Sequence, residues 1–246
     1  MENTLPIAVS RMTSLRNSMN TTANNLANAN TTGFRGEKTL FQEYLSQTGT
    51  PGNRESLSMV QDIATYRDFS EGSMTSTGNP MDLALRGDGF LVVGHPAQDL
   101  YTRAGALHLD NERRLVTSEG YPLLGQNNQA IQIPEDAGEV MIDAKGVVSV
   151  RENNQTNEIG RLQLVRFGDN QQLRPAGGSM FATDQTPLQT EEAQVVQGFI
   201  EGSNVKPVME VTQMIEVMRD YASVAKIMEV EDQRMRDAAN KLVRNV

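Results

Sequence analysis

Apolar residues recur every seven positions at both ends of this chain, and this pattern constrains the fold more than any other feature. At the N-terminus two such series interleave at spacings of three and four: Leu5, Met12, Met19 and Leu26, and Ala8, Leu15, Thr22 and Ala29. The spacing predicts an amphipathic, coiled-coil-like helix of about 25 residues. Pro6 is tolerated in its first turn, and Gly33 ends the pattern.

The C-terminal pattern is longer. Nine of its ten heptad positions suit a helix seam and one, Asp232, does not; the nine are Val211, Met214, Met218, Tyr221, Ala225, Met228, Met235, Ala239 and Leu242. One such seam alone is equally typical of an ordinary amphipathic helix packed on its own domain. Two seams, one at each terminus, favour pairing of the helices with each other or with other copies of the chain.

Between the two helical ends, short alternating segments predict strands. Residues 75–189 contain about six of these segments, separated by Gly, Pro, Asn and Asp, which is typical of an antiparallel β domain. The predicted fold class is therefore α+β. Its parts are a terminal helical domain from residues 1–32 and 207–246, a central all-β domain at 75–189, and extended connectors at 33–74 and 190–206.

The charge distribution disfavours nucleic acid and membrane surfaces as partners. Residues 46–204 carry 21 acids and 11 bases, whereas the two ends are nearly neutral. An acidic middle repels phosphate groups, and neutral ends can pack against other copies without charge repulsion. The sequence also has no apolar run long enough to span a bilayer, no signal-peptide pattern at its N-terminus, and no cysteine.

The sequence predicts no catalytic, cofactor-binding or metal-binding residues. His95 and His108 are the only histidines and lack the spacing of a metal site. Gly87, Asp88 and Gly89 resemble part of a phosphate loop, but strands on both sides favour a tight turn. The alternative from a different class is a carbohydrate-binding or hydrolytic β domain with helical dimerisation ends, although no cluster of residues marks its site.

Asparagine is unusually frequent in the first helix, with six asparagines between positions 17 and 30. Asparagine is a poor helix former, so a solvated face is one interpretation. The other is a weak helix that orders when its amides bond across an interface. The predicted assembly interface therefore combines asparagines with seam residues: Leu5, Met12, Leu15, Met19, Asn24, Asn25, Leu26, Asn28, Val211, Met214, Met218, Tyr221, Ala225 and Met228. Gly33 is predicted to have positive φ just after the helix, making a hinge with Phe34.

The string ANNLANANTTGFR at 23–35 resembles the N-terminal signature of the bacterial flagellar rod and hook proteins. Four further strings match that family in order: NPMDLALRGDGFLVV at 79–93, YTRAGALHLD at 101–110, LVTSEGYPLLG at 115–125 and QGFIEGSNVKPVMEVTQMIEVMRDY at 197–221. The resemblance covers almost the whole chain. Within the family it favours a proximal-rod member, because distal-rod members carry a different pattern around Met218 to Tyr221; a distal-rod or hook-type subunit is the alternative.

The resemblance implies a structural subunit rather than an enzyme. It implies export through the flagellar type III apparatus without a cleaved signal, followed by self-assembly with other copies and with neighbouring rod proteins. The product would be the torque-transmitting drive shaft of the basal body, which spans the periplasm.

Overall fold

The computed structural model describes residues 4–48, 55–152, 155–190 and 192–244. The burial of side chains is described within these ranges, except for residues 4–5, 41–63 and 242–244. The predicted contributions of the Leu5 and Leu242 side chains therefore lie outside the described residues. The chain divides into two compact units: unit 1 comprises Met1–Ala27, Glu37–Arg67 and Lys206–Val246, and unit 2 comprises Asn28–Gly36 and Asp68–Val205.

Unit 1 contains both long helices and a β-hairpin. Its elements are α1 (Thr4–Ala27), β1 (Glu37–Thr48), β2 (Glu55–Arg67) and α2 (Pro207–Arg244). Helix α1 packs against α2, and β1 pairs with β2 in antiparallel register. Two terminal helices are thus confirmed, and α2 begins at proline, whose fixed φ suits the first helical turn.

Unit 2 is built from short strands and a single turn of 3-10 helix at Asn170–Gln172. Its first strands are β3 (Met74–Ser76), β4 (Leu83–Arg86), β5 (Phe90–Val93), β6 (Leu100–Thr102), β7 (His108–Leu109) and β8 (Leu115–Val116). The next are β9 (Glu139–Ile142), β10 (Val147–Glu152), β11 (Gln155–Arg161), β12 (Leu164–Arg166) and β13 (Arg174–Gly177). The last are β14 (Met180–Ala182), β15 (Leu188–Gln189), β16 (Gln194–Gln197) and β17 (Phe199–Glu201).

All strand pairings among the described residues are antiparallel. The largest sheet has the order β13-β14-β6-β5-β12-β15, and a second has the order β11-β10-β9. Two-stranded pairs β16-β4, β17-β3 and β7-β8 complete unit 2. A central strand-rich region between two helices agrees with the α+β prediction.

Aliphatic side chains fill most of the interior of unit 2. Leu83, Leu85, Val93, Leu123 and Val148 are each fully buried in one cluster. A second cluster contains rings, including Phe90, Tyr101, Phe167 and Phe181. Tyr101 meets Phe167 edge-on with ring centroids 4.7 Å apart.

Both segments that the sequence predicts to be extended connectors contain paired strands. The hairpin β1–β2 lies in the first (33–74), and β16 and β17 lie in the second (190–206). These segments are polar, so they lack the alternation that marks a half-buried strand. Backbone hydrogen bonds form the pairs regardless of side-chain polarity, which is why the pattern did not predict them.

Candidate functional site

Helix α1 buries one face, and this face is more polar than the seam pattern predicts. Ala8, Leu15 and Thr22 of the seam are buried, whereas Met12, Met19, Leu26 and Ala29 are half-buried. Ser14 and Ser18, which the seam does not include, are buried beside them. Small hydroxyl side chains allow close approach of a neighbouring element but bury little apolar area.

Helix α2 has a half-buried face and an exposed apolar face. Met214, Tyr221, Ala225 and Met228 are half-buried. Val211 and Met218, which belong to the same predicted seam, are 43% and 46% exposed. Together with Val208 and Ile215 they form an exposed apolar row, which we term the outer stripe: Val208, Val211, Ile215 and Met218.

Of the three asparagines predicted at the interface, Asn25 is the buried one. Its Nδ2 donates to the carbonyl oxygen of Glu37 at 2.8 Å, and the Glu37 amide donates to its Oδ1 at 2.9 Å. Nδ2 also lies 3.3 Å from Oε2 of Glu210 at the start of α2. Asn24 is exposed, and Asn28 is half-buried and accepts from the Thr31 hydroxyl. The Asn25 side chain thus links three elements of unit 1.

Gly33 has the positive φ that the sequence predicts, at +67°. Its predicted position directly after the helix is wrong, because α1 ends at Ala27 and a turn follows. The Gly33 amide donates to the Glu201 carbonyl oxygen at 2.8 Å. A Cβ at Gly33 would lie 2.4 Å from the backbone nitrogen of Ala104, so close backbone approach excludes any side chain. Phe34, the second predicted hinge residue, is half-buried.

A buried ionic cluster lies directly beside Gly33 in unit 2. Glu201 is fully buried, and its Oε1 and Oε2 lie 2.6 Å from Arg35 Nη2 and 2.8 Å from Arg103 Nε. Arg35 is fully buried and Arg103 almost so. Burial lowers the pKa of Arg35, while the charge of Glu201 opposes that shift. One buried carboxylate therefore pairs with two guanidinium groups from distant parts of the chain, and the exposed Glu71 Oε1 lies 3.7 Å from Arg103 Nη2.

The remaining donors of Arg103 bind the backbone of the β4–β5 turn. Nη1 donates to the carbonyl oxygens of Gly87 and Gly89, and Nη2 donates to that of Leu85, at 2.9 to 3.0 Å. Residues 87–89 form a turn between strands, as the sequence predicts, with Gly87 at φ +88°. The fixed fork geometry of arginine suits this bridging of several acceptors.

Asn204 bridges segments that are distant in sequence, and together with Arg35, Arg103 and Glu201 it forms what we term the junction. Its Oδ1 accepts from the Gly36 amide at 2.8 Å, and its Nδ2 donates to the Asp68 carbonyl oxygen at 2.7 Å. Sequence reasoning missed Arg35, Arg103, Glu201 and Asn204. Each of them lies within one of the five strings that carry the family resemblance, and this was the available signal.

Within the described residues no cluster of His, Asp or Glu has the arrangement of a metal site. His95 contacts the Tyr121 ring at a tilt of 59° with ring centroids 4.9 Å apart, and its Nδ1 accepts from the Ala97 amide. His108 is an exposed residue of β7. Among the described helices none has the length and apolar character needed to cross a bilayer.

Comparison with known proteins finds family models for three parts of the chain, and these parts contain the four residues of the junction. Three family models match: "Flagella basal body rod protein" at residues 5–35, "Flagellar hook protein FlgE/F/G D1 domain" at 84–150 and "Flagellar basal body rod FlgEFG protein C-terminal" at 196–242. Together the three matches reach α1, much of the β region and most of α2.

Individual relatives match over nearly the full chain. Flagellar basal-body rod protein FlgF of Caulobacter vibrioides is 36% identical over 98% of both chains. FlgF of Mesorhizobium japonicum is 33% identical over 93% of this chain and 92% of its own. FlgG of Bacillus subtilis is 30% identical over 94% and 96%. These matches do not favour a carbohydrate-binding or hydrolytic protein. The chain belongs to the flagellar basal-body rod protein family, resembles FlgF, and is a structural subunit of the rod in the flagellar basal body.

Proposed function

We propose that this chain is a proximal-rod subunit that polymerises through α1 and α2 to form part of the drive shaft. In this proposal residues 1–32 and 207–246 form an inner tube of coiled-coil-like helices, and the β domain at 75–189 lies outside it. The chain is exported by the type III apparatus without signal cleavage. The higher identity to FlgF than to FlgG relatives supports the proximal position.

The outer stripe is the observation that carries the proposal. Four large apolar side chains lie in a row on α2 and are between 41% and 80% exposed. A contiguous exposed apolar row is typical of a surface that another molecule covers. The neighbouring face, with Met214 and Tyr221, is already half-buried in one copy. The helix thus offers one face to its own chain and one to other subunits.

A long helix with two apolar faces suits a torque-bearing tube. At 1.5 Å per residue, the 38 residues of α2 extend about 57 Å. Head-to-tail contacts between such helices propagate as a filament because they do not close on themselves. The predicted seam residues Val211 and Met218 would then contact other rod subunits, and Met214, Tyr221, Ala225 and Met228 would stabilise the helix pair.

Met218→Asp tests the proposal, because it places a charge on the outer stripe without entering the half-buried face. An unpaired charge in a dry contact costs several kcal/mol, so incorporation into basal bodies and swimming should be lost. Circular dichroism and thermal unfolding of the purified chain should match the wild type.

Ser223→Asp is the matched control, because it adds the same charge at an exposed α2 position outside the outer stripe. It should assemble normally. Normal rods and swimming with Met218→Asp would refute an assembly role for the stripe.

A further inference from the structure

Unit 2 contains a cleft of about 490 Å³ that is basic although its domain is acidic. Its floor is apolar, formed by the buried residues Leu162, Leu164 and Ala193. Its rim carries the cations of Lys145 and Arg161 and the polar side chains Gln126, Gln189 and Thr190. No carboxylate is among the described residues that line it.

The two cations of the cleft are exposed and form no ion pair with the described carboxylates. Arg103, Arg114, Arg151 and Arg174 of the same unit pair with carboxylates, whereas Arg86, Arg113 and Arg166, like the two cations of the cleft, form no ion pair with the described carboxylates. The cleft brings two such cations together around an apolar floor. The chemistry of the cleft therefore suits an anionic group flanked by apolar surface.

The two cations and the acidic turn at residues 134–137 lie at opposite ends of the sheet β11-β10-β9. The cation end also carries the exposed carboxylate of Asp143, whose Oδ1 accepts from the Lys145 and Val147 amides. Lys145 lies in the turn after β9, and Arg161 is paired in register with Val147 at that same end. The other end carries the exposed residues Glu135 and Asp136 in the turn before β9. Strand β9 has four residues, so the two ends are separated by about 13 Å or more.

The acidic turn is complementary in charge to the basic cleft. Its two adjacent carboxylates, Glu135 and Asp136, form no ion pair within the described chain. The turn is closed by the Ala137 amide, which donates to the Pro134 carbonyl oxygen at 3.2 Å. Arg113 Nε donates to the Pro134 carbonyl oxygen at 3.2 Å, so one cation lies beside the turn. The turn presents two carboxylates between two small apolar residues, which matches two cations around an apolar floor.

We propose that the basic cleft of one copy receives the acidic turn, residues 134–137, of the next copy. Because the donor and acceptor surfaces lie at opposite ends of one sheet, a copy does not satisfy its own cleft by this contact. The contact is heterologous, because it joins two different surfaces of neighbouring copies. A row of copies joined in this way has a free cleft at one end and a free acidic turn at the other, so further copies can add along the row. This inference rests on the proposed function as a polymerising subunit and adds a second, electrostatic contact between β domains.

Charge reversal tests the contact in the full chain. Lys145→Glu with Arg161→Glu, and separately Glu135→Lys with Asp136→Lys, should each lower incorporation into isolated basal bodies by about tenfold or more. The chain with all four substitutions restores opposite charges across the contact and should recover most of the incorporation. Arg86→Glu with Arg166→Glu is the control, because it makes the same charge change at exposed positions outside the cleft.

Two results would overturn this inference. One is normal incorporation when the cleft is reversed. The other is loss on reversing the cleft without any rescue in the fourfold variant, since this would mean that the cleft binds another anion, such as an acidic segment of a different rod protein. Thermal unfolding of each purified variant shows that the β unit is folded.

Engineered cysteines identify the contact directly, because the chain contains no cysteine. Arg161→Cys with Asp136→Cys should form disulfide-linked series of copies in basal bodies, and Arg161→Cys with Asp88→Cys should not. Rods that assemble normally without the disulfide would overturn the cleft contact and leave the outer stripe intact. The cysteine pair can also be combined with Met218→Asp. If these subunits still assemble and form disulfide-linked copies, the assembly role of the outer stripe is refuted and the cleft contact is supported.

Discussion

The two compact units bury their side chains in opposite ways. Unit 2 has a continuous aliphatic core, a ring cluster and a buried ionic junction. Among the side chains described in unit 1, the only buried apolar ones are Ala8 and Leu15, and the other buried residues are Ser14, Ser18, Thr22 and Asn25. No described residue of α2 is buried. Unit 2 thus resembles a finished domain, whereas unit 1 leaves apolar side chains of α2 exposed.

This difference fits the two tasks of the polymerising subunit that we propose. Burial of apolar surface is the main favourable contribution to folding, and it must offset the loss of chain entropy. A unit that defers part of its burial until assembly gains that contribution only next to its neighbours. Unit 2 can hold its shape in the free chain, so the stability of the two units should respond differently to substitution.

Glu201→Gln should give the largest loss of stability, and it tests whether unit 2 is a finished domain. Removing the charge takes the buried carboxylate away from Arg35 and leaves Arg103 with the exposed Glu71 at 3.7 Å, and this loss costs about 3–5 kcal/mol. Urea unfolding of the purified chain measures the change. The control is Glu139→Gln, because the Glu139–Arg151 pair is more than half exposed and worth about 1 kcal/mol or less. Equal small losses would show that the junction does not hold unit 2 together.

Truncating one apolar side chain in each unit compares the two kinds of packing. Leu123 is fully buried, and Leu123→Ala should cost about 2–5 kcal/mol of unfolding free energy. Met218 is 46% exposed, so Met218→Ala should change the unfolding free energy by about 0.5 kcal/mol or less. Incorporation into basal bodies, measured for equal amounts of folded protein, should fall more with Met218→Ala than with Leu123→Ala. A large stability loss for Met218→Ala would mean that the stripe is part of the monomer's own packing.

Gly33→Val and Gly33→Asn should be equally harmful, in contrast to what positive φ alone predicts. Asparagine tolerates left-handed φ better than valine, but each carries a Cβ that would lie 2.4 Å from the Ala104 nitrogen. Overpacking of this kind costs about 1–3 kcal/mol. Gly78→Asn is the control, because Gly78 has φ +70° and open space around it. If Gly33→Asn unfolds like the wild type in thermal melts, the close approach is not a constraint.

The sequence predicts the parts of the fold that depend on consecutive residues better than the parts that depend on contacts between distant residues. The periodicity of α1 and α2 is a property of consecutive residues, so both helices were predicted close to their observed bounds. The strands of unit 2 were predicted as a region because turn residues separate them. Their sheet order was not, because pairing partners such as β5 and β12 are far apart in the chain.

The buried junction shows why the rest could not be predicted. Arg35, Arg103 and Glu201 are separated by 68 and 98 residues, and nothing in their local pattern indicates that they meet. Charged residues are normally exposed, so each reads as a surface residue. For the seam residues the sequence predicts a single face of α2, but Met214 and Tyr221 of that face are half-buried whereas Val211 and Met218 are exposed.

Asn25→Ala should give the most local of these effects and tests whether the polar interior of unit 1 has a defined structure. The substitution removes both hydrogen bonds to the Glu37 backbone and leaves that amide and carbonyl group without their side-chain partner. The expected cost is about 1–3 kcal/mol, confined to unit 1. Hydrogen exchange should therefore speed up at the Glu37 amide while the amides of β5 and β6 keep their protection. Asn20→Ala is the control, since Asn20 is an exposed asparagine of the same helix. Unchanged exchange at Glu37 in Asn25→Ala would mean that the hairpin is held by other contacts, and that unit 1 is less dependent on its polar side chains than the comparison with unit 2 suggests.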